Sequence, residues 1–375
     1  MRVLHVYRTY FPDPPGGLQE AIRQIALSSQ PFGVDARIFA LSPKPEPSVV
    51  ERVEGVVVRA RSWAAPASCD LGSKKAFTLF RDHAEQSDVV HYHFPWPFGD
   101  VLQLFSNPRR PAVMTYHSDV VRKGVLGYFY QPLMRCMLRR MEAVVATSNA
   151  YIDSSPVLGR LVQPHRLHVI PLGITEQSYR GFMKEAAGIE VESRFGVAPG
   201  RYMLFVGVLR PYKGLDTLIE AAAGTNIPVL IVGSGRVERR LRTSAAAHGN
   251  VRFVGQVGDS EKIALIQGCR ALVLPSHLRS EAFGMVLVEA AMCGKPMISC
   301  DIGTGTSFVN LHEKTGFVVP PNSPGDLAWA MRALLENNEL AERMGKAARE
   351  RYEQLFSGEA LGRAYAELYR EVAGA

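Results

Sequence analysis

The sequence predicts an α/β protein made of two doubly wound parallel-sheet domains. Three observations carry this reading. The 375 residues are enough for two domains of ordinary size. Short, almost wholly apolar segments such as LFVGV, VLIVG and ALVLP suit strands buried on both faces of a parallel sheet. Strand-like and helix-like segments alternate, and the series runs twice along the chain.

In the first series, Val3–Tyr7, Asp35–Leu41, Val56–Ala60, Val89–His93, Ala112–Tyr116 and Ala143–Thr147 read as strands. Leu18–Ser29, Ser73–Gln86 and Gly127–Glu142 read as helices between them. In the second, Tyr202–Val206, Val229–Val232, Val251–Val254, Ala271–Leu274 and Pro296–Ser299 are strands. Asp216–Ala223, Val237–His248, Glu261–Gln267 and Met285–Cys293 are the matching helices. A hinge is expected between Gly173 and Gly200, where TEQSYRGFMKEAAGIEVESRFGVAPG is polar and poorly periodic. Ser323 and Pro324 make a helix start, as cap and first-turn residue. A last helix runs from about Gly358 to Val372.

The composition, 47% apolar and 21% charged, is that of a soluble globular protein. No apolar run approaches the ~20 residues of a membrane span. The apolar run before Arg8 is too short for a signal peptide. The five cysteines are odd in number and form no C-x-x-C, which argues for a reducing, cytoplasmic compartment and against a structural zinc site. The net charge of +7 is uneven: residues 1–175 hold 20 Lys+Arg against 14 Asp+Glu, and residues 176–375 hold 23 against 22. A basic first half suits an anionic partner, whether a membrane surface, a phosphorylated substrate or nucleic acid. An ordinary solvated surface would look the same.

In open parallel sheets ligands bind beyond the carboxyl ends of the strands, and the motifs lie there. Pro14-Pro15-Gly16-Gly17 follows the first strand and precedes a helix, where backbone N–H groups can approach a phosphate. A Pro/Gly-rich surface turn has the same composition. Leu209-Arg210-Pro211-Tyr212-Lys213-Gly214 sets two cations at the mouth of the second sheet. Val232-Gly233-Ser234-Gly235 has Glu238 where a dinucleotide fingerprint needs its third glycine. His117 follows the strand AVMTY, and His91 and His93 share a strand face without Cys or carboxylate companions, which favours packing over metal ligation. No D-x-D offers a divalent ion an anchor beside a diphosphate.

His277 to Pro296 reads HLRSEAFGMVLVEAAMCGKP. Phe283-Gly284-Met285 opens a helix whose unpaired N–H groups can receive an anion. Glu281 precedes that point and Glu289 lies about one turn into the helix. A carboxylate accepts two hydrogen bonds from a vicinal diol. The stretch therefore suits a nucleotide-sugar, with phosphate on the helix end, one glutamate for the sugar and one for the ribose. Two acids favoured by the helix dipole are the simpler account of the same residues.

Together these residues resemble the retaining glycosyltransferases of the GT-B fold, family 4, over nearly the whole chain. Glu281 and Glu289, with Ala290 and GKPMIS after them, resemble that family's pair of glutamates separated by seven residues. Arg210 and Lys213-Gly214 resemble its diphosphate-binding basic pair, and Gly16-Gly17 its N-terminal glycine loop. Thr115-Tyr116-His117-Ser118-Asp119 resembles the segment whose histidine borders the donor sugar, and Gly316 in TGFVVPP matches the late T-G-x-x-V stretch. One position departs: Val208 stands where the family often has arginine, and Arg210 is the nearest replacement.

The resemblance implies two Rossmann-like domains facing a cleft. Residues 1–175 would bind the acceptor, with a last helix, 356–375, packing back on them, and residues 176–355 would bind the nucleotide diphosphate-sugar. It implies transfer with retention, no metal and no cofactor beyond that co-substrate. Lys213, Arg210 and the N–H groups near Gly284 and Met285 would stabilise the leaving diphosphate. Glu281 would orient the sugar, Glu289 the ribose, and His117 would close the site. Phe94-Pro95-Trp96-Pro97-Phe98 and the residues from Tyr116 to Lys123 look like bacterial mannosyl- or rhamnosyltransferases of surface-polysaccharide (O-antigen) assembly. That finer likeness points to a GDP-linked sugar and a lipid-linked or glycan acceptor.

Arg122, Lys123, Arg135, Arg139 and Arg140 are interleaved with Leu126, Tyr128, Phe129, Tyr130, Leu133 and Leu138. That mixture suits the surface of an anionic membrane, on the inner face, where such an acceptor would sit. A solvated helix face over a core face is the alternative. Three other functions are compatible with parts of the pattern: a sugar-nucleotide 2-epimerase, a non-catalytic nucleotide-sugar-binding protein and a nucleic-acid binder. The paired glutamates and Lys213 weigh against the first two, and the absence of a recognised nucleic-acid motif against the third.

Overall fold

The computed structural model describes residues 1–13, 16–65, 69–119 and 125–374, with the side chains of 125–129 left aside. The chain divides into two compact units, Met1–Thr175 with Gly358–Ala375, and Glu176–Ser357.

The first unit contains β1 (Arg2–Val6), β2 (Asp35–Ser42), β3 (Val49–Arg52), β4 (Gly55–Ala64), β5 (Leu71–Gly72), β6 (Val89–Phe94), β7 (Ala112–Tyr116), β8 (Ala143–Ala146) and β9 (Leu167–Val169). Their order is β3-β4-β2-β1-β6-β7-β8-β9, with β5 on β4. All pairings are parallel except those of β3 and β5 with β4. Every residue of β6, β7 and β8 is buried, as strands covered on both faces require. The chain's last helix, Gly358–Ala373, packs on the helix Gly17–Ser29 beside this sheet.

The second unit contains β10 (Met203–Val206), β11 (Val229–Val232), β12 (Val251–Gly255), β13 (Ala271–Leu274), β14 (Met297–Cys300) and β15 (Gly316–Val319). The order is β12-β11-β10-β13-β14-β15, parallel throughout.

Strand order reverses beside β1 in the first sheet and beside β10 in the second. At such a point neighbouring connections leave for opposite faces, and a crevice opens at the strands' carboxyl ends. In the second sheet the loops after β10 and β13 flank that point, and these are the two loops that carry Lys213 and Glu281.

Some expectations fail. The segment expected to be a polar hinge holds two helices, Glu176–Ala186 and Val191–Phe195. Its polarity is that of a helix with one buried side, which Tyr179 and Ala186 form. Ser323 occupies the cap position, but its hydroxyl donates to the Asp326 carboxylate (2.6 Å) instead of accepting a backbone N–H. The edge strands β3, β5 and β9 have four, two and three residues, none of them fully buried, and are too short for a period to stand out.

Candidate active site

The loop after β10 turns through a short 3-10 segment, Pro211–Lys213, and ends at Gly214 in the left-handed region (φ +69°). A Cβ there would fall 1.9 Å from the Pro275 carbonyl oxygen, so only glycine lets this loop lie on the one after β13. The His277 N–H donates to the Tyr212 carbonyl (3.0 Å) and closes the contact. The second loop ends at Gly284, also left-handed (φ +85°), which caps the helix Met285–Met292. Met285 and Val286 therefore start a helix at the carboxyl end of the sheet, and their N–H groups have no partner among the described residues.

Both glutamates are buried and both are held in the same way. Glu281 accepts from Lys213 Nζ and from Ser276 Oγ (3.0 Å), each on Oε2. Glu289 accepts from Lys262 Nζ (2.9 Å) and from Tyr179 OH (2.8 Å), each on Oε1. A lysine and a hydroxyl thus hold one oxygen of each carboxylate. The other oxygen has no hydrogen-bond partner among the described residues and keeps contact with solvent. Burial works against the charge of Lys262, but Glu289 and Asp259 outweigh it and hold the ammonium above the ordinary lysine range. A charged, oriented carboxylate with one free oxygen is what recognition of a hydroxyl needs.

Arg210 is exposed, and its guanidinium makes no hydrogen bond or ion pair among the described residues. Val208 is exposed as well, and buried Leu209 lies between the two. Phe283 is buried and meets Phe356 edge-on. The loop after β14 supports the segment from behind: Thr304 Oγ1 donates to the Glu281 carbonyl (2.8 Å), and Gly305 N–H to that of Ala282 (2.8 Å).

In the first unit, Gly16 caps the helix Gly17–Ser29 in extended backbone, and a Cβ on Gly17 would meet nothing within 4 Å. Nothing among the described residues requires glycine at position 17. Pro14 and Pro15 lie outside the described residues. His117 follows β7 and is buried. Its Nε2 lies 3.0 Å from His93 Nδ1, and His93 Nε2 lies 3.0 Å from His5 Nδ1. Burial drives His5 and His117 down to about 3 and lowers His91 and His93 well below the ordinary imidazole value. All four are neutral rings near neutral pH. His91 is held by Tyr369 OH (2.7 Å) and Thr115 Oγ1 (2.7 Å), and Thr115 also meets Tyr365 OH (2.8 Å).

Residues 195–351 match the family described as glycosyl transferases group 1, and residues 16–173 match the glycosyl transferase 4-like domain. The D-rhamnosyltransferase WbpZ of Pseudomonas aeruginosa is 46% identical over 95% of this chain and 92% of its own length. The chain belongs to the group 1 glycosyltransferases. The O-antigen chain mannosyltransferase C of Escherichia coli is 39% identical to this glycosyltransferase over 98% of both chains. Among solved structures, sucrose-phosphate synthase from Thermosynechococcus elongatus superposes with a TM-score of 0.78 at 23% identity, covering 100% of this chain and 99% of its own. That likeness shows the fold, which is of GT-B type.

The basic stretch divides in two in this glycosyltransferase. Arg135, Arg139 and Arg140 are exposed, on or just after the helix Val125–Arg139. Leu138 is buried, and the mostly buried Tyr130 donates to the Asp100 carboxylate. These apolar members of the pattern belong to the core. Arg122 and Lys123 lie outside the described residues. No helix among the described residues is long and apolar enough to cross a membrane.

Sequence reasoning missed Tyr179, Lys262, Ser276 and the loop after β14. Lys262 is one cation on the helix Asp259–Gly268, whose buried residues Ile263–Ile266 run consecutively, and Tyr179 sits in the supposed hinge. No local signal marks either as a partner of Glu289.

Proposed function

We propose that this glycosyltransferase moves a mannose- or rhamnose-type hexose from a GDP-linked donor to a lipid-linked or glycan acceptor in O-antigen-type polysaccharide synthesis. The transfer retains anomeric configuration and uses no metal. The observation that carries the donor site is the paired arrangement of Glu281 on Lys213 and Glu289 on Lys262, each with one carboxylate oxygen left for a hydroxyl. The choice of sugar and acceptor rests on the names of the two relatives, a D-rhamnosyltransferase and an O-antigen mannosyltransferase.

Negative charge grows on the diphosphate as the sugar–phosphate bond breaks. Lys213, Arg210 and the N–H groups of Met285 and Val286 supply positive charge for it, the part a divalent ion takes elsewhere. Glu281 orients the sugar hydroxyls and Glu289 the ribose diol. A leaving phosphate oxygen takes the acceptor's proton, so the chain supplies no dedicated base. Exposed Arg135 and Arg139, with exposed Phe105 near Arg140, support docking on an anionic membrane that carries the acceptor.

Calorimetry with GDP, UDP and ADP in EDTA, on the wild type and on Glu289→Ala, tests the donor site. Binding of GDP that weakens in the variant is expected. Binding of none of the three would sink the site assignment, and preference for UDP or ADP would replace the donor base.

A further inference from the structure

His5, His93 and His117 form a continuous chain of imidazoles across β1, β6 and the end of β7. The nitrogen contacts are 3.0 Å at both links. The ring planes differ by only 20° and 25°, with centroids 5.3 Å apart in each pair. Rings that meet through their nitrogens at that separation are joined edge to edge by hydrogen bonds and are not stacked face to face. Each ring is neutral, so each carries one proton, and the chain then has only two consistent arrangements.

In the first, protons point outward. His5 Nδ1–H donates to His93 Nε2, and His93 Nδ1–H donates to His117 Nε2. The proton of His117 is then on Nδ1, the nitrogen that has no partner among the described residues. In the second, every bond reverses, and His5 must carry its proton on Nε2. That atom is buried and has no hydrogen-bond partner among the described residues. A buried N–H with no acceptor is rarer and costlier than a buried lone pair with no donor. The first arrangement is favoured.

We infer that His5 and His93 are positioning residues that hold His117 in its Nδ1–H tautomer, so that His117 presents a hydrogen-bond donor to an oxygen of the bound substrate. This rests on the reading that the first unit binds a substrate at the carboxyl end of β7, beside His117. It adds that His117 cannot act as a base through Nδ1. It also adds that the tautomer is decided two rings away, at the His5 nitrogen that has no partner among the described residues. His91 stands beside this chain but outside it, with both nitrogens engaged by Tyr369 and Thr115.

The test is a long-range proton–nitrogen correlation spectrum of the full chain labelled with nitrogen-15 histidine, near neutral pH, without substrate. Single-histidine variants assign the signals. His117 is expected with its proton on Nδ1 alone. A proton on Nε2, or on both nitrogens, overturns the inference. In His5→Phe, His117 is expected to populate both tautomers and kcat/KM to fall, by about tenfold at most. His5→Asn, whose amide N–H can take the place of Nδ1–H, is expected to restore both. Lost tautomer selection with unchanged kcat/KM would overturn the link to catalysis. If His5→Phe does not fold, the wild-type spectrum decides.

Metal analysis of the purified chain gives a second arm. His5, His91 and His93 hold ligand atoms within 4.8 Å of one another, and one zinc retained per chain would replace the tautomer chain with a metal centre. The spectrum needs no donor. An Nδ1–H His117 in a chain that binds no nucleotide would therefore condemn the donor site and leave the chain of histidines standing.

Discussion

Lys262 Nζ lies 2.9 Å from Glu289 Oε1, and the two groups, 18% and 12% exposed, hold each other away from bulk water. Lys262 belongs to a different helix from Glu289 and is itself steadied by Asp259 at 3.0 Å. Its effect is to fix Glu289 by Oε1, which leaves Oε2 without a hydrogen-bond partner among the described residues.

Lys262→Met is expected to lower stability by about 1–3 kcal/mol, because a buried carboxylate loses its cation. It should also weaken nucleotide binding although Lys262 itself is not placed against the ligand. Urea unfolding and calorimetry on Lys262→Met, Glu289→Gln and the double variant measure this. Additive losses in the double variant would show that the two groups are not coupled.

Lys213→Ala is expected to lower kcat by roughly 10²–10³, the effect of losing one preorganised group at a developing negative charge. Lys213→Arg should recover little, because Nζ is mostly buried, paired with Glu281 and 5.5 Å from the Tyr212 ring centroid, and a planar guanidinium does not take the place of a compact ammonium there. Steady-state turnover decides, with thermal unfolding as the control for folding.

Gly17→Ala and Gly214→Ala should behave in opposite ways. A Cβ at Gly17 meets nothing within 4 Å, and alanine favours a helix start more than glycine, so stability should hold or rise slightly. Donor turnover should nevertheless fall if a phosphate approaches that backbone. A Cβ at Gly214 collides with the Pro275 carbonyl, and its φ of +69° is unfavourable to alanine, so that variant should unfold at lower urea concentration. Unchanged turnover in Gly17→Ala would mean that no substrate phosphate approaches this backbone.

Acid should destabilise the first unit. An unfolded histidine takes up its proton below about 6.5, whereas folded His5 and His117 resist until about 3. Between those values the unfolded chain binds more protons, so stability falls as pH falls. Each such histidine contributes about 1.4 kcal/mol per pH unit. Denaturant midpoints from pH near neutral downward should show this slope, and His5→Phe should make it shallower. An unchanged slope in that variant would mean that His5 is not a neutral buried ring.

Much of the architecture was legible because its signals are local. LFVGV, VLIVG and ALVLP became β10, β11 and β13, since a run of apolar residues has few places to go except a strand covered on both faces. Glu281 and Glu289 could be singled out because a carboxylate near buried apolar residues demands an explanation. Their explanation was not legible. Tyr179 and Glu289 are 110 residues apart, and His91 and Tyr369 are 278 apart. Such pairs meet only after strand order and the return of the last helix are decided, and no periodicity encodes those.

The same division runs through the histidines. Alternation along β6 puts His91 and His93 on one face, which the sequence alone determines. That His93 bridges His5 and His117, while His91 bonds Tyr369 of the last helix and Thr115 of β7, depends on β1 and β7 being the neighbours of β6. Side-chain chemistry was set residue by residue. Which groups share a proton or a charge was decided by distances of about 3 Å, and only the packed sheets bring them about.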